Sequence, residues 1–94
     1  MKHFDWDKNK NEQLKRDRDI GFEDVIQALV EGRELDRITH PNKKRYANQK
    51  ILIVNIENYA YLVPFIEDED KVFLKTVIPS RKMTKKYLIK GGKI

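Results

Sequence analysis

Ninety-four residues, 39% of them hydrophobic and 37% charged, suffice for one domain around one core, and the absence of cysteine excludes disulfides and thiolate metal sites. No apolar run approaches the roughly 20 residues that cross a bilayer, and the opening MKHFDWDKNK lacks the apolar stretch of a secretory signal, so residues 1–94 are expected to form a single cytoplasmic domain. The charge is lopsided: residues 71–94 hold eight Lys and Arg and no acid, which with a net charge of +5 leaves residues 1–70 at −3.

His3 to Trp6 reads as a short strand or extended lead-in, with Phe4 and Trp6 on one side and Trp6 as a core anchor. Asp7 is a natural N-cap for a helix over 8–18. That helix is polar almost all round, and is expected to lean on the domain through Lys10, Asn11, Leu14 and Arg18. Ile20-Gly21 breaks it. Phe22, Val25, Ile26, Leu29 and Val30 then recur at helical spacing, with Glu23 and Asp24 in the first turn and Gly32 as the stop.

Residues 35–39 are a weak strand candidate, and 40–48 a loop broken by Pro41 and Asn42. A strong strand follows over 50–57. Glu57-Asn58 makes a hairpin turn into a strand over 59–66, in which Pro64 requires an edge position or a bulge. An acidic turn at 67–70 leads to a strand over 71–78, and Pro79-Ser80 turns the chain into a short basic helix from Arg81. The expected fold is α+β: two N-terminal helices on an antiparallel sheet of three or four strands. The other sheet face is covered in part by the C-terminal helix or by a partner.

No HExxH, GxSxG, phosphate-binding Walker loop or glycine-rich dinucleotide turn is present. The acid pairs Asp5/Asp7 and Asp68/Asp70 fall at a helix start and in a turn, where local roles explain them, so neither metal nor cofactor is expected. What remains is cations and phenols: Lys43, Lys44, Arg45 and Tyr46 in the loop, and Arg81, Lys82, Lys85, Lys86 and Tyr87 at the end. A basic end points to a polyanion, RNA or DNA. RNA carries its own nucleophile, the 2′-hydroxyl, so an enzyme that orients it and stabilises charge on the phosphorus needs cations above all. Arg81 could grip two phosphate oxygens, His40 could act as acid or base, and Tyr46 and Tyr87 could stack on bases. Plainer roles stand beside these: a solvated basic surface, a loop histidine, half-buried tyrosines, and Ser80 as a helix cap.

Phe4-Asp5-Trp6-Asp7, Lys10-Asn11, Leu14-Lys15-Arg16 and Ile20-Gly21-Phe22-Glu23-Asp24 resemble the opening of BrnT-type toxins. That opening reads F-[ED]-W-D-x-x-K-N, then a leucine and basic residues, then a phenylalanine–acid pair. VIPSRKMT at 77–84 resembles the family's closing I-I-S-A-R-[RK]-x-T, with Pro79-Ser80 in place of Ser-Ala; Asp19 stands where many relatives have glycine. The resemblance implies a RelE-like fold and the toxin role in a bacterial type II toxin–antitoxin system: a metal-independent mRNA endoribonuclease that inhibits translation. It places Arg81, Lys82 and Thr84 on the closing motif and Arg45 on an arginine before the central strand. With His40, the catalytic candidates are Arg81, Lys82 and Arg45, and the RNA-binding candidates Lys43, Lys44, Tyr46, Lys85, Lys86 and Tyr87. The implied partners are RNA, free or ribosome-bound, and a cognate antitoxin of the ribbon-helix-helix DNA-binding kind. A non-catalytic nucleic-acid-binding or regulatory module on the same fold, or a relic that only binds its antitoxin, is the competing reading.

Overall fold

The computed structural model describes residues 2–39, 44 and 49–89. The elements run β1 (His3–Trp6), α1 (Lys8–Arg18), α2 (Phe22–Val30), β2 (Glu34–Thr39), β3 (Gln49–Ile56), β4 (Tyr59–Glu67), β5 (Lys71–Leu74), β6 (Ile78–Pro79) and α3 (Arg81–Tyr87). The fold is α+β. The sheet is mixed rather than purely antiparallel, and larger than the three or four strands expected. Its order is β1-β5-β4-β3-β2, with β6 pairing β4. The meander β2-β3-β4-β5 is antiparallel, and β1 joins its edge parallel to β5.

α1 starts where Asp7 accepts hydrogen bonds from the amides of Asn9 (2.8 Å) and Lys10 (3.4 Å). Only Asn11 and Leu14 of this helix are buried; Arg18 is exposed. Burying Leu14 contributes on the order of 1.5–3 kcal/mol, little for eleven residues, so the polar Asn11 carries much of the attachment. Its Oδ1 accepts from the amide of Phe22 (2.7 Å), a donor at the start of α2 that no helical carbonyl can satisfy. Its Nδ2 donates to both carboxylate oxygens of Glu23 (3.1 and 3.0 Å). A Cβ on Gly21 would lie 2.8 Å from Asn11 Oδ1 and 2.7 Å from Glu23 Oε1, so a larger residue there would displace the side chains that form the joint. Trp6 stacks on Phe22 at 5.4 Å between centroids and locks β1 to the same joint.

α2 buries Phe22, Val25 and Ala28, with Ile26 and Leu29 packed partly against the core. Val30, expected in the stripe, is 75% exposed: it lies about 100° round the helix from Leu29 and turns away from the sheet. Gly32, at φ 73°, ends the helix as expected, with Arg33 N donating to Ala28 O (2.7 Å) and Gly32 N to Leu29 O (3.2 Å). The hairpin turn at Glu57-Asn58 has both residues left-handed, φ 53° and 65°, which matches the strand twist.

The strand expected over 71–78 is two strands. Lys75 N donates to Pro64 O (2.8 Å), but Pro64 has no amide hydrogen to return. β6 resumes with Ile78 opposite Leu62, so Thr76 and Val77 together face Val63, a β-bulge. The extra residue drops Val77 into the helix-facing core and moves Ile78 to the other face.

Asp19 ends α1 in the left-handed region, φ 58°, where its amide donates to Lys15 O. Left-handed backbone of this kind favours glycine over a residue with a Cβ. Asp19→Gly should stabilise the chain by about 0.5–1 kcal/mol, raising the melting temperature by several degrees. A lowered urea midpoint would contradict this account of the turn.

Candidate nucleic-acid interface

The turn into α3 is held by four hydrogen bonds. Ser80 N donates to Ala60 O (3.0 Å), and Ser80 Oγ, as the helix cap, accepts from Met83 N (3.2 Å). The buried Thr84 hydroxyl donates to Ser80 O (2.8 Å) and accepts from Ala60 N (2.9 Å). Both backbone groups of Ala60 on β4 are thus taken by the helix. At the other end the Tyr87 hydroxyl donates to Asp36 Oδ2 on β2 at 2.5 Å. α3 therefore crosses the sheet face opposite α1 and α2, from β4 to β2. Ile53 of β3, between them in register, is fully buried.

A seven-residue helix is too short to persist alone; this one is held by its ends. Met83, Thr84, Tyr87 and Leu88 are buried or half-buried, and Arg81, Lys82, Lys85 and Lys86 are exposed. Helical spacing puts those four cations on one outward face. Arg81/Lys85 and Lys82/Lys86 are like-charge pairs four residues apart, each unfavourable by a few tenths of a kcal/mol. The ion pairs among the described residues are Lys2–Glu67, Lys15–Glu23, Arg33–Glu31, Arg37–Glu34, Lys50–Glu67 and Lys71–Asp5. None involves α3, and a phosphate backbone would relieve the repulsion among its cations.

Tyr87 is placed as an anchor. Its phenol is held by Asp36 and its ring lies 5.3 Å below the Lys86 ammonium. The bond to Asp36, reinforced by burial, pushes the phenol above its usual range. The same bond, with the Arg37 amide and the Lys86 charge, holds the Asp36 carboxyl below its own. Asp36 was not a candidate from sequence: its partner is 51 residues away, and nothing local marks it.

Lys44 is exposed between β2 and β3; His40, Lys43, Arg45 and Tyr46 lie outside the described residues. Gln49, where that loop rejoins the sheet, pairs with Ile66, whereas Asn55 pairs with Ala60 at the start of α3. Six strand residues, about 20 Å, separate the two ends. The acid pairs have the local roles expected of them. Asp7 caps α1, Asp5 accepts from Trp6 N, and Asp68 accepts from Lys71 N and Asp70 N, which hold its carboxyl below the usual range. Among the described residues no three His, Asp or Glu converge as metal ligands, and no helix is long and apolar enough to cross a membrane. The interface is a ridge rather than a cleft. The chain matches no protein-family model, no curated protein and no solved structure.

The Tyr87–Asp36 bond defines a pH window. The depressed Asp36 pKa contributes stability above the unfolded value of 3.8 that is lost as pH falls through the folded value. The raised Tyr87 pKa contributes below 10.0 and is lost as pH rises through its folded value. Tyr87→Phe should therefore melt below wild type at pH 5–9, and the gap should close at both extremes. A pH-independent gap would mean that the ring alone, not the hydroxyl, anchors the helix.

Proposed function

We propose that this chain is the RelE-like toxin of a type II toxin–antitoxin pair, a metal-independent endoribonuclease that binds mRNA along α3 and cleaves it. The observation that carries the reading is the row Arg81, Lys82, Lys85 and Lys86, exposed on a helix pinned at both ends and unpaired with any described acid. The likeness to BrnT-type toxins in the residues of the two end stretches supplies the reaction class.

In that reaction the RNA 2′-hydroxyl attacks the adjacent phosphorus, a 2′,3′-cyclic phosphate forms, and the 5′-oxygen leaves with a proton. Arg81 follows the Ser80 cap directly, so its backbone is fixed. Its fork suits the two oxygens that gain charge in the pentavalent state. Lys82, Lys85 and Lys86 hold neighbouring phosphates as point charges.

One observation favours the non-catalytic reading: on the described face of α3, the phenol of Tyr87 and the carboxylate of Asp36 are bound to each other. That leaves no free acid–base pair on the face. Incubating purified chain with a defined mRNA in EDTA separates the two readings, since only the enzyme yields cyclic-phosphate ends.

Arg81→Ala should abolish growth arrest and lower the cleavage rate by roughly a hundredfold to a thousandfold, with circular dichroism and melting temperature near wild type. Arg81→Lys should recover part of the rate, and Lys82→Ala or Lys85→Ala should cost less. A fully toxic Arg81→Ala would move the catalytic role to the His40–Tyr46 loop.

RNA affinity should fall with salt at a slope near −3 in log–log form, about 0.7 per contacted phosphate for four cations on single-stranded RNA. A flat dependence would exclude the ridge as the contact.

A further inference from the structure

The sheet face that carries α3 has three zones along the strands. α3 covers one end, from Ala60 on β4 to Asp36 on β2, with its cations outward. The middle is apolar. Cross-strand partners share a face: Ile38, Ile51 and Pro64 form one row, Ile66 and Phe73 the next, and none of the five is buried. Scattered apolar side chains on a surface are ordinary, but a contiguous strip marks a contact surface.

The far end is acidic. Asp5 lies opposite Phe73, and Asp68, Glu69 and Asp70 form the turn beyond Ile66; all four are exposed. Glu67 shares the other face with buried Val72, and Lys2 and Lys50 hold it there. Asp5 has Lys71 at 4.0 Å. Asp68, Glu69 and Asp70 are in no ion pair with a described residue. The zones are evenly spaced. Ala60, which holds the start of α3, and Asp68, which opens the turn, each lie four residues from Pro64, about 13 Å along the strand.

We infer that this face is a self-association surface, occupied by the same face of a second copy about a twofold axis that passes over Pro64 and crosses the strands. That rotation reverses the strand direction, so each α3 lies over the acidic turn of the other chain. The two helices then share one layer between two sheets, each roofing the part of the face that the other leaves bare. The outward cations of α3 meet Asp68, Glu69 and Asp70 of the second copy, and their alkyl stems cover Ile66 and Phe73. Being isologous, the interface makes every such contact twice.

The order of the charges selects this occupant. A nucleic acid or an acidic segment would suit the cations but meet carboxylates at the far end. A basic segment would meet the ridge. Ends of opposite sign across an apolar middle call for the same order reversed, and a second copy brings it by symmetry. Two charges oppose the pairing. The chains are +5 each, but charges more than about 8 Å apart are largely screened at physiological salt. Lys75, exposed at the edge beside Pro64, faces its own copy near the axis, where water screens the pair. The inference stands apart from the RNA reading, although a paired chain hides its ridge and any polyanion must compete with the second copy.

The test is sedimentation of the full chain over a concentration series. A dimer should form with a dissociation constant below about 0.1 mM and loosen as salt is raised. Ile66→Lys, at an already exposed position, should weaken it at least tenfold. The double variants Glu69→Lys with Asp70→Lys, and Lys82→Glu with Lys85→Glu, should each be monomeric alone. Mixed, they should pair with each other, because the intact ridge of the first meets the intact turn of the second. A misfolded variant could not be rescued in this way. A chain still monomeric at about 1 mM, a dimer that tightens with salt or ignores Ile66→Lys, or a mixture that pairs no better than its components would each overturn the inference.

Discussion

Pro64 has no hydrogen to give to the strand beside it, and the C-terminal third of the chain is arranged around that gap. Its carbonyl still accepts from Lys75, so the pair is half made rather than absent. The half pair ends β5, and the bulge that follows inserts one residue before pairing resumes at Ile78. In a strand an inserted residue exchanges the two faces. Val77 therefore fills the core, Ile78 turns to the opposite face, and the chain reaches Ser80 on the side away from α1 and α2. Without the bulge, Pro79-Ser80 would deliver α3 towards a face that is already full.

A second constraint acts at the other end. Asn11 is a buried polar side chain with three hydrogen bonds, one to an amide that would otherwise be orphaned. Removing it would leave the Phe22 amide unsatisfied, a cost on the order of 1–3 kcal/mol. Trp6, Asp7, Asn11, Gly21 and Phe22 are thus parts of one joint between β1, α1 and α2. These N-terminal residues are architectural. Those of the closing stretch divide: Ser80 and Thr84 pin the helix, while Arg81 and Lys82 are left to face solvent.

The legible parts of the fold were those decided locally. Asp7 as a cap, Gly32 as a stop and Glu57-Asn58 as a turn each follow from one or two residues and the backbone geometry they favour. Pro64, expected at an edge position or a bulge, instead lies in the interior strand β4, and the bulge is in the strand beside it, at Thr76-Val77. Long-range choices left no local trace. β1 pairs with β5 across 68 positions, and a four-residue strand in which only Trp6 is half-buried does not announce a parallel partner. Val30 completes a helical stripe in sequence yet lies round the helix from Leu29, turned away from the sheet. In the site, the cations were evident from composition. That they share one face of a fixed helix was not, because Thr84–Ala60 and Tyr87–Asp36 are contacts between distant segments.

The anchors of α3 bear on what its cations can do. Lysines on a flexible tail bind a polyanion but bring no geometry to it, since each side chain and the backbone beneath it must be ordered on contact. Here the backbone beneath Arg81 is ordered in advance by the Ser80 cap and the Thr84 hydroxyl, and the far turn by the Asp36 carboxylate. Only side-chain freedom would remain to be lost if a phosphate bound here. The same anchoring keeps the like charges of Arg81, Lys82, Lys85 and Lys86 together against their repulsion, which a bound anion would relieve. Asp36 takes part without neutralising the ridge: its carboxylate is on the sheet side of the helix, committed to Tyr87. An acid at the surface of α3 would have stabilised the helix as well, but it would have occupied the cations; placed underneath, it holds the helix and leaves them open.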